Sequence, residues 1–418
     1  MRVVVVGQGY VGLPLAMRAV EVGHDVVGYD IEAERVRRLN DGTSYVEDIT
    51  DEVLSAAIAT GRYRASADAS CAEGFDVAVI TVPTPLRESL PDLSFIETSV
   101  KTLAQYVRPG STVILESTTY PGTTEELVGP LIDEIAGLKA GPDFQLGYSP
   151  ERIDPGNRVW TFQNTPKVVS GVDERSLAAV SEFYEGLVDR VVPVPSPREA
   201  ELTKLLENTF RHVNIALVNE LAIFAQQLNI DIWAAIDAAE TKPFGFMAFR
   251  PGPGVGGHCL PIDPSYLSWE IRRTLGHNFR FVELANDIND HMPDYVTKRL
   301  MMALNERGRA LNGSNVLVLG LAYKRNTGDA RESPSTEVVT QLLTLGANVS
   351  AVDPHIALPT LDPRISLVPL SEQALADADA VVLLTDHDDF DYDLIADKAR
   401  YVLDTRARLV PSPTVERL

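Results

Sequence analysis

The first thirty residues constrain the fold most. Arg2-Val-Val-Val-Val6 is an apolar strand that breaks at Gly7-Gln-Gly9-Tyr-Val-Gly12, opens a helix, and is followed by a second strand, Asp25 to Asp30, ending in an acid. That order of strand, glycine turn, helix and strand specifies a βαβ unit built to hold a dinucleotide. Gly7 permits the tight turn, Gly9 lets the backbone approach a pyrophosphate, Gly12 allows close helix-to-strand packing, and the helix amino terminus faces the phosphates. Asp30, about 20 residues on, is placed to accept hydrogen bonds from a ribose diol and to repel a 2′-phosphate, which favours NAD over NADP. Tyr10, Val11 and Arg35 are assigned to the same cofactor site.

Further strand-like runs at Asp76–Val82, Thr112–Ser117 and Gln145–Tyr148 alternate with helical ones, the pattern of parallel βαβ units. Ligand contacts are therefore expected in the loops at the carboxyl ends of those strands: Gly7 to Gly12, Pro83-Thr84-Pro85, Thr118 to Gly122, and Pro150-Glu151-Arg152. At Ser196-Pro197-Arg198-Glu199 a capping box with proline at the first helical position opens a helix. Its apolar stripe runs through Leu202, Leu206, Phe210, Val213, Leu217, Leu221, Phe224 and Leu228. Continuous to Ile230, this helix would be roughly 50 Å long, enough to bridge domains or build a subunit interface. Helical segments follow at Trp233–Glu240 and Tyr266–Leu275. From Asn315 a strand, a loop after Gly320, a helix over Thr336–Leu345 and a strand ending at Asp353 repeat the opening weakly. The loop carries Lys324, Arg325 and Arg331 and lacks the compact glycine pattern, so a different phosphorylated ligand is expected there.

The expected architecture is α/β: two Rossmann-like doubly wound domains, residues 1–195 and 301–418, joined by a helical central domain, residues 196–300. A chain of 418 residues suits such a division. No apolar run reaches the roughly 18 residues of a spanning helix, and the opening strand lacks a basic leader and a cleavage site, so a soluble cytoplasmic protein is expected. A net charge of −22 disfavours nucleic acid and anionic lipid as partners. The two cysteines, Cys71 and Cys259, have neither disulfide nor metal-like spacing, and no metal site is expected.

Cys259 lies in Phe249-Arg250-Pro-Gly-Pro-Gly-Val-Gly256-Gly-His-Cys259-Leu-Pro-Ile-Asp263-Pro264, a side-chain-poor approach to a thiol four residues before a carboxylate. A free cysteine is commonly a small buried hydrophobe; the surrounding glycines suit close ligand contact instead. His258 is adjacent in sequence, where side chains diverge. Lys204 and Asn208 are one helical turn apart, away from the apolar stripe, and share a polar face. That face is either solvated or, lining a cleft, a pair of donors for a developing oxyanion.

These segments resemble the UDP-glucose/GDP-mannose dehydrogenase family across essentially the whole chain. The resemblance rests on Gly7-Gln-Gly9-Tyr-Val-Gly12, Val82-Pro-Thr-Pro85, Ser149-Pro-Glu151-Arg152, Lys204-Leu-Leu-Glu-Asn208, Gly256-Gly-His-Cys259-Leu-Pro-Ile-Asp263-Pro, and Gly320-Leu-Ala-Tyr-Lys324 with Asp329-Ala-Arg331. It implies a dimer formed through the long helix and oxidation of a nucleotide-sugar C6 alcohol to the acid, with two hydrides passing to two NAD molecules. It also implies Cys259 as nucleophile, Lys204 and Asn208 as oxyanion stabilisers, and Asp263 and Thr118 as positioners. Glu151 would be the acid/base or water-activating group. Arg152, Phe249, Arg250, Gly256 and Lys324 would contact substrate, and Arg331 cofactor or substrate. The Pro-Glu151-Arg152 and Pro155-Gly156-Asn157 pattern resembles the members that act on UDP-N-acetylglucosamine, with UDP-glucose the alternative. A single-hydride hydroxyacid dehydrogenase and a non-enzymatic NAD-binding scaffold are the more distant readings.

Overall fold

The computed structural model describes residues 1–418 except 47, 88–89, 154–156, 158, 258–259 and 357–361. The chain divides into two compact units, Met1–Glu207 with Ser265–His277 and Asn208–Pro264 with Asn278–Leu418. Each contains a Rossmann-like sheet, and helical segments lie between them in sequence.

The first unit holds β1 (Arg2–Val6), β2 (Asp25–Tyr29), β3 (Tyr63–Ser66), β4 (Val77–Ile80), the short pair β5 (Leu86–Arg87) and β6 (Leu90–Pro91), β7 (Thr112–Leu115), β8 (Gln145–Tyr148), β9 (Lys167–Gly171) and β10 (Val191–Pro193). Its main sheet has the order β10-β9-β8-β7-β4-β1-β2-β3. The sheet is buried on both faces: Val3 and Val5 join a core with the helices Gly12–Glu21 and Glu174–Glu185, while Val4 and Val6 face Ile96, Val100 and Ile132. This two-sided burial is why β1 reads as an unbroken valine run. The strands expected from the sequence pair in parallel, and the sheet continues beyond them with a reversal. β9 pairs antiparallel with β8, matching Tyr148 to Ser170, and β10 follows β9 in parallel. Among the described residues between β8 and β9 there is no helix, consistent with an antiparallel partner, which needs no helical crossover.

The second unit holds β11 (Asn315–Leu319), β12 (Asn348–Val352), β13 (Ser366–Leu367), β14 (Ala380–Leu383), β15 (Val402–Asp404) and β16 (Val415–Arg417), all parallel in the order β13-β12-β11-β14-β15-β16. Val316 and Val318 pack beneath the helices Met292–Glu306 and Pro334–Thr344, and Leu317 and Leu319 face the opposite layer.

The long helix is Pro197–Gln227. Ser196 accepts from the Arg198 amide at 3.2 Å and bonds Glu199, closing the capping box. Its buried face mixes Leu205, Ala216, Val218 and Ala222 with polar residues, and a long apolar stripe is left exposed. Leu206 is 62% and Leu228 67% exposed, with Leu202, Phe210, Leu217, Leu221 and Phe224 also exposed, whereas Glu201, Asn208, His212 and Asn219 are buried. These four have partners: Glu201 in the Gly122–Thr124 turn, Asn208 with Asp263, His212 with Asn286, and Asn219 with Gly252 and Asn289; the buried Thr209 hydroxyl has none. Such pairing offsets the desolvation that burial costs. No helix among the described residues is long and apolar enough to cross a membrane.

Candidate active site

In the first unit the glycine turn has three different reasons for its glycines. Gly7 has φ +90°, and a Cβ there would stand 3.0 Å from the Thr81 carbonyl oxygen; a Cβ on Gly12 would meet the Gly7 carbonyl oxygen at 1.9 Å. Gly9 has nothing within 4 Å, so the chain itself does not require its bareness. The helix that follows begins at Gly12, and Val11 at its N-cap supplies no side-chain cap. An open backbone before an uncapped helix amino terminus fits the pyrophosphate of NAD.

Asp30 is buried and ties the turn down. It accepts from the Gln8 amide at 2.9 Å and the Glu32 amide at 3.0 Å, and pairs with Arg35 at 2.9 Å. Arg35 lies in the helix Ala33–Asn40 that follows the second strand and is engaged with the acid that would meet the ribose. Tyr10 and Pro83 are exposed, and Thr84 and Thr118 half-buried, in the loops following β1, β4 and β7. Tyr266, completely buried, donates to the Pro85 carbonyl at 3.2 Å and braces that loop. The Thr118–Gly122 loop is braced by Glu201, whose carboxylate accepts from the Gly122 amide at 2.5 Å, the Thr124 amide at 2.9 Å and the Thr124 hydroxyl at 2.7 Å. Burial outweighs these donors and pushes the Glu201 carboxyl up to about 7.

At the carboxyl end of β8, Glu151 is engaged at both ends. Its carbonyl accepts from Lys204 Nζ at 2.5 Å. Its carboxylate accepts from the Arg152 and Ile153 amides at 2.6 and 2.7 Å and pairs with Lys167 at 2.9 Å. Arg152 reaches Glu207 at 2.6 Å and donates to the Pro166 carbonyl at 2.7 Å. The Glu207 pairing falls on Arg152 and leaves Lys204 to Glu151.

In the second unit Asn208 donates to Asp263 Oδ2 at 2.5 Å, with both residues buried. Asp263 opens the helix Asp263–Leu275. Phe249 stacks edge-on with Phe210 at 5.7 Å, and Arg250 pairs with Asp237 at 2.8 Å and Glu240 at 2.7 Å. The glycines before the cysteine serve the packing of the chain as well as any ligand. A Cβ on Gly256 would lie 2.6 Å from the Glu332 carbonyl oxygen, and one on Gly257 2.8 Å from the Tyr323 ring. Gly252 is held through its amide by Asn219 at 2.9 Å. Lys324 is half-buried in the loop after β11, and Arg331 pairs with Asp329 at 2.8 Å. Cys259 and His258, with Pro155 and Gly156 of the substrate pattern, lie outside the described residues; Cys71 is buried.

Sequence reading missed Lys167, Glu116, Glu201 and Asn219. A carboxylate just past the end of a core strand, as at Glu116, is the one signal that could have drawn attention, because ligands of α/β sheets bind at that edge.

Comparison with known proteins supplies the rest. Residues 1–188 match the NAD binding domain of the UDP-glucose/GDP-mannose dehydrogenase family, residues 198–291 its central domain and residues 317–411 its UDP binding domain. The chain is 36% identical over 391 residues to the UDP-N-acetyl-D-mannosamine dehydrogenase of Pyrococcus horikoshii, covering 93% of this chain and 90% of that protein. It is 35% identical over 395 residues to the UDP-N-acetyl-D-glucosamine 6-dehydrogenase of Salmonella typhi, covering 93% and 91%. A solved structure of a UDP-D-ManNAc dehydrogenase from Pyrococcus horikoshii superposes with TM-score 0.90 at 33% identity, over 100% of this chain and 99% of that one. With a bare Gly9 ahead of an uncapped helix and Asp30 behind it, the chain belongs to the UDP-glucose/GDP-mannose dehydrogenase family and is an NAD-dependent nucleotide-sugar dehydrogenase.

Proposed function

We propose that this protein oxidises the C6 hydroxyl of a UDP-N-acetylhexosamine to the carboxylate in two steps, with Cys259 as the covalent nucleophile. The observation that carries the reading is the polar face of the long helix, where Lys204 is held by the Glu151 carbonyl and Asn208, one turn on, by Asp263. An ammonium and an amide so fixed are donors for a C6 oxyanion without reorganisation at the moment of reaction. Bound NAD supplies the hydride acceptor, twice per product. Thr118 and Asp263 position the groups around C6, and Glu151 accepts the alcohol proton. The Cys259 thiolate adds to the aldehyde carbon; loss of the second hydride leaves a thioester, and water cleaves its C–S bond to give the acid and the thiol. Gly7, Gly9, Tyr10, Val11, Gly12, Asp30, Arg35, Pro83, Thr84, Thr118 and Arg331 are assigned to cofactor, and Glu151, Arg152, Lys204, Asn208, Phe249, Arg250, Gly256 and Lys324 to substrate.

The N-acetylhexosamine preference is supported by the names of the relatives and by the Pro-Glu151-Arg152 pattern. The division at 1–195, 196–300 and 301–418 is retained as the functional one. The exposed stripe from Leu202 to Leu228 supports a homodimer through the long helix, because an apolar surface of that length is seldom left in water. Incubation with NAD and UDP-N-acetylglucosamine, UDP-N-acetylmannosamine or UDP-glucose, followed by absorbance of NADH and assay of the acid, tests the function. Two NADH per acid are expected, with the N-acetylated sugars preferred; one NADH per product overturns the covalent mechanism, and preference for UDP-glucose overturns the substrate. Cys259→Ser abolishes acid formation while leaving NAD affinity unchanged.

A further inference from the structure

Lys167 is a lysine in the interior of the first unit, and the sheet topology explains how it gets there. Because β9 runs antiparallel to β8, its first residue arrives at the carboxyl edge of the sheet, beside the residues that leave β7 and β8. The ammonium lies 2.8 Å from Glu116 Oε1 and 2.9 Å from Glu151 Oε2, and is 5.3 Å from the centres of the Phe162 and Tyr184 rings. Tyr184 donates to Glu116 Oε1, and Glu116 Oε2 is buried without a hydrogen-bond partner. One cation thus serves two buried carboxylates. A buried ion cluster of this kind is weak as a source of stability, because desolvating each ion opposes the attraction between them. Its retention here coincides with its position: Glu151 is the residue whose carbonyl holds Lys204.

We propose that Lys167 is a positioning residue of the active site: its ammonium fixes the Glu151 carboxylate, and through it the Glu151 carbonyl that orients Lys204. The inference rests on the reading of Glu151 and Lys204 as reaction residues. The groups facing Glu151 are Lys167 from β9, Glu116 from the end of β7, Tyr184 from the helix Glu174–Glu185 and Lys204 from the long helix. Burial by itself would raise the Glu151 carboxyl; Lys167, the Ile153 amide and Lys204 outweigh it and hold the group below the ordinary carboxylate value. Burial lifts the neighbouring Glu116 carboxyl above that value, with Lys167 opposing it. Lys167 therefore keeps Glu151 ionised at neutral pH, as a proton acceptor must be.

The test compares Lys167→Met and Lys167→Arg with the wild type, measuring kcat and KM against pH and NAD affinity by fluorescence titration. In Lys167→Met, burial acts unopposed by the ammonium, so the Glu151 carboxyl rises. The acidic limb of kcat is expected to move up by about one pH unit or more, so that kcat at a pH on that limb falls at least about 10-fold, with NAD affinity unchanged. Lys167→Arg restores the limb and most of kcat. If Lys167→Met does not bind NAD, the pair Lys167→Met with Glu116→Leu removes both buried partners together and gives the same shift of the limb. A wild-type kcat, or a reduction equal at every pH, overturns the proposal. So does loss of NAD affinity in both variants, which makes Lys167 a structural residue. A wild type that turns over no nucleotide sugar, or Glu151→Gln at full activity, breaks the functional reading; dependence on Glu151 with indifference to Lys167 breaks this inference alone.

Discussion

The two sheets carry the same knot at the end of their first strand and put it to different use. In the first unit the Gly7 amide donates to the Tyr29 carbonyl at 2.8 Å and the Gln8 amide to Asp30 at 2.9 Å. In the second the Gly320 amide donates to the Val352 carbonyl at 2.9 Å and the Leu321 amide to Asp353 at 2.7 Å. In both, a glycine with φ above +80° turns the chain and an acid closing the next strand holds the turn. They differ in what comes after. Gly12 starts a helix at once, which aims its amino terminus at the turn, whereas the second helix waits until Pro334 and leaves room for a loop with Lys324, Arg325 and Arg331. The acids differ too: Asp30 pairs with a part-exposed Arg35, Asp353 with His387, both of them with fully buried side chains. The wiring is a structural device common to both sheets, and of the two copies the first is the one followed at once by a helix amino terminus.

Substitutions can break this comparison. Gly12→Ala and Gly320→Ala put a Cβ at 1.9 Å from the Gly7 carbonyl oxygen and 2.3 Å from the Thr385 carbonyl oxygen. Each should cost roughly 4 kcal/mol or more in chemical denaturation, but only Gly12→Ala should abolish NAD binding in the protein that remains folded. Next in size is the pair of acids. Asp353→Ala leaves the buried His387 Nε2 without its carboxylate, while Nδ1 still accepts from the Asn326 amide at 3.0 Å, and is expected to cost about 2–3 kcal/mol. Asp30→Ala costs less, since Arg35 can return to water, and instead weakens NAD binding roughly 10- to 100-fold by titration. Equal stability losses would mean that Asp30 is chiefly structural.

The units also separate in acid. Burial raises Asp353, but His387 and the Leu321 and His355 amides outweigh it and hold its carboxyl below the ordinary value. Its contribution is present above that ordinary value and is lost as pH falls through the lowered one. Glu201 in the first unit behaves oppositely: raised to about 7 by burial, it favours the folded state below the ordinary carboxylate value, and that stability is lost as pH rises through about 7. Denaturant unfolding of the wild type against Glu201→Gln from pH 4.5 to 8 should show a difference that changes by on the order of 3 kcal/mol; a constant difference contradicts the assignment. The smallest effect is the most specific. Gly9→Ala meets nothing within 4 Å, so the unfolding midpoint should stay put while NAD affinity falls about 10-fold. A fall in stability without loss of affinity would remove Gly9 from the cofactor site.

Much of this was legible in the residues themselves. Five strands between Arg2 and Tyr148, the capping box at Ser196, the long helix and the first two strands of the second sheet follow from local pattern, because side-chain period and turn chemistry act over a few residues; β3 and β13 to β16 did not stand out in this way. The reversal at β9 left no such mark, because strand direction depends on the connection and not on the strand. The stripe from Leu202 to Leu228 was also readable, but not which way it faces. Periodicity marks a stripe without saying what covers it, and the structure turns Glu201, Asn208, His212 and Asn219 inward.

The sequence by itself determined the cofactor turn, its acid and the residue types able to oxidise an alcohol, since each depends on near neighbours in the chain. Tertiary structure alone decided that Lys204 rests on the Glu151 carbonyl and that Lys167 sits between Glu116 and Glu151. Those contacts join residues far apart in sequence, and a lysine opening an apolar strand looks like a solvated edge until the antiparallel partner carries it inside.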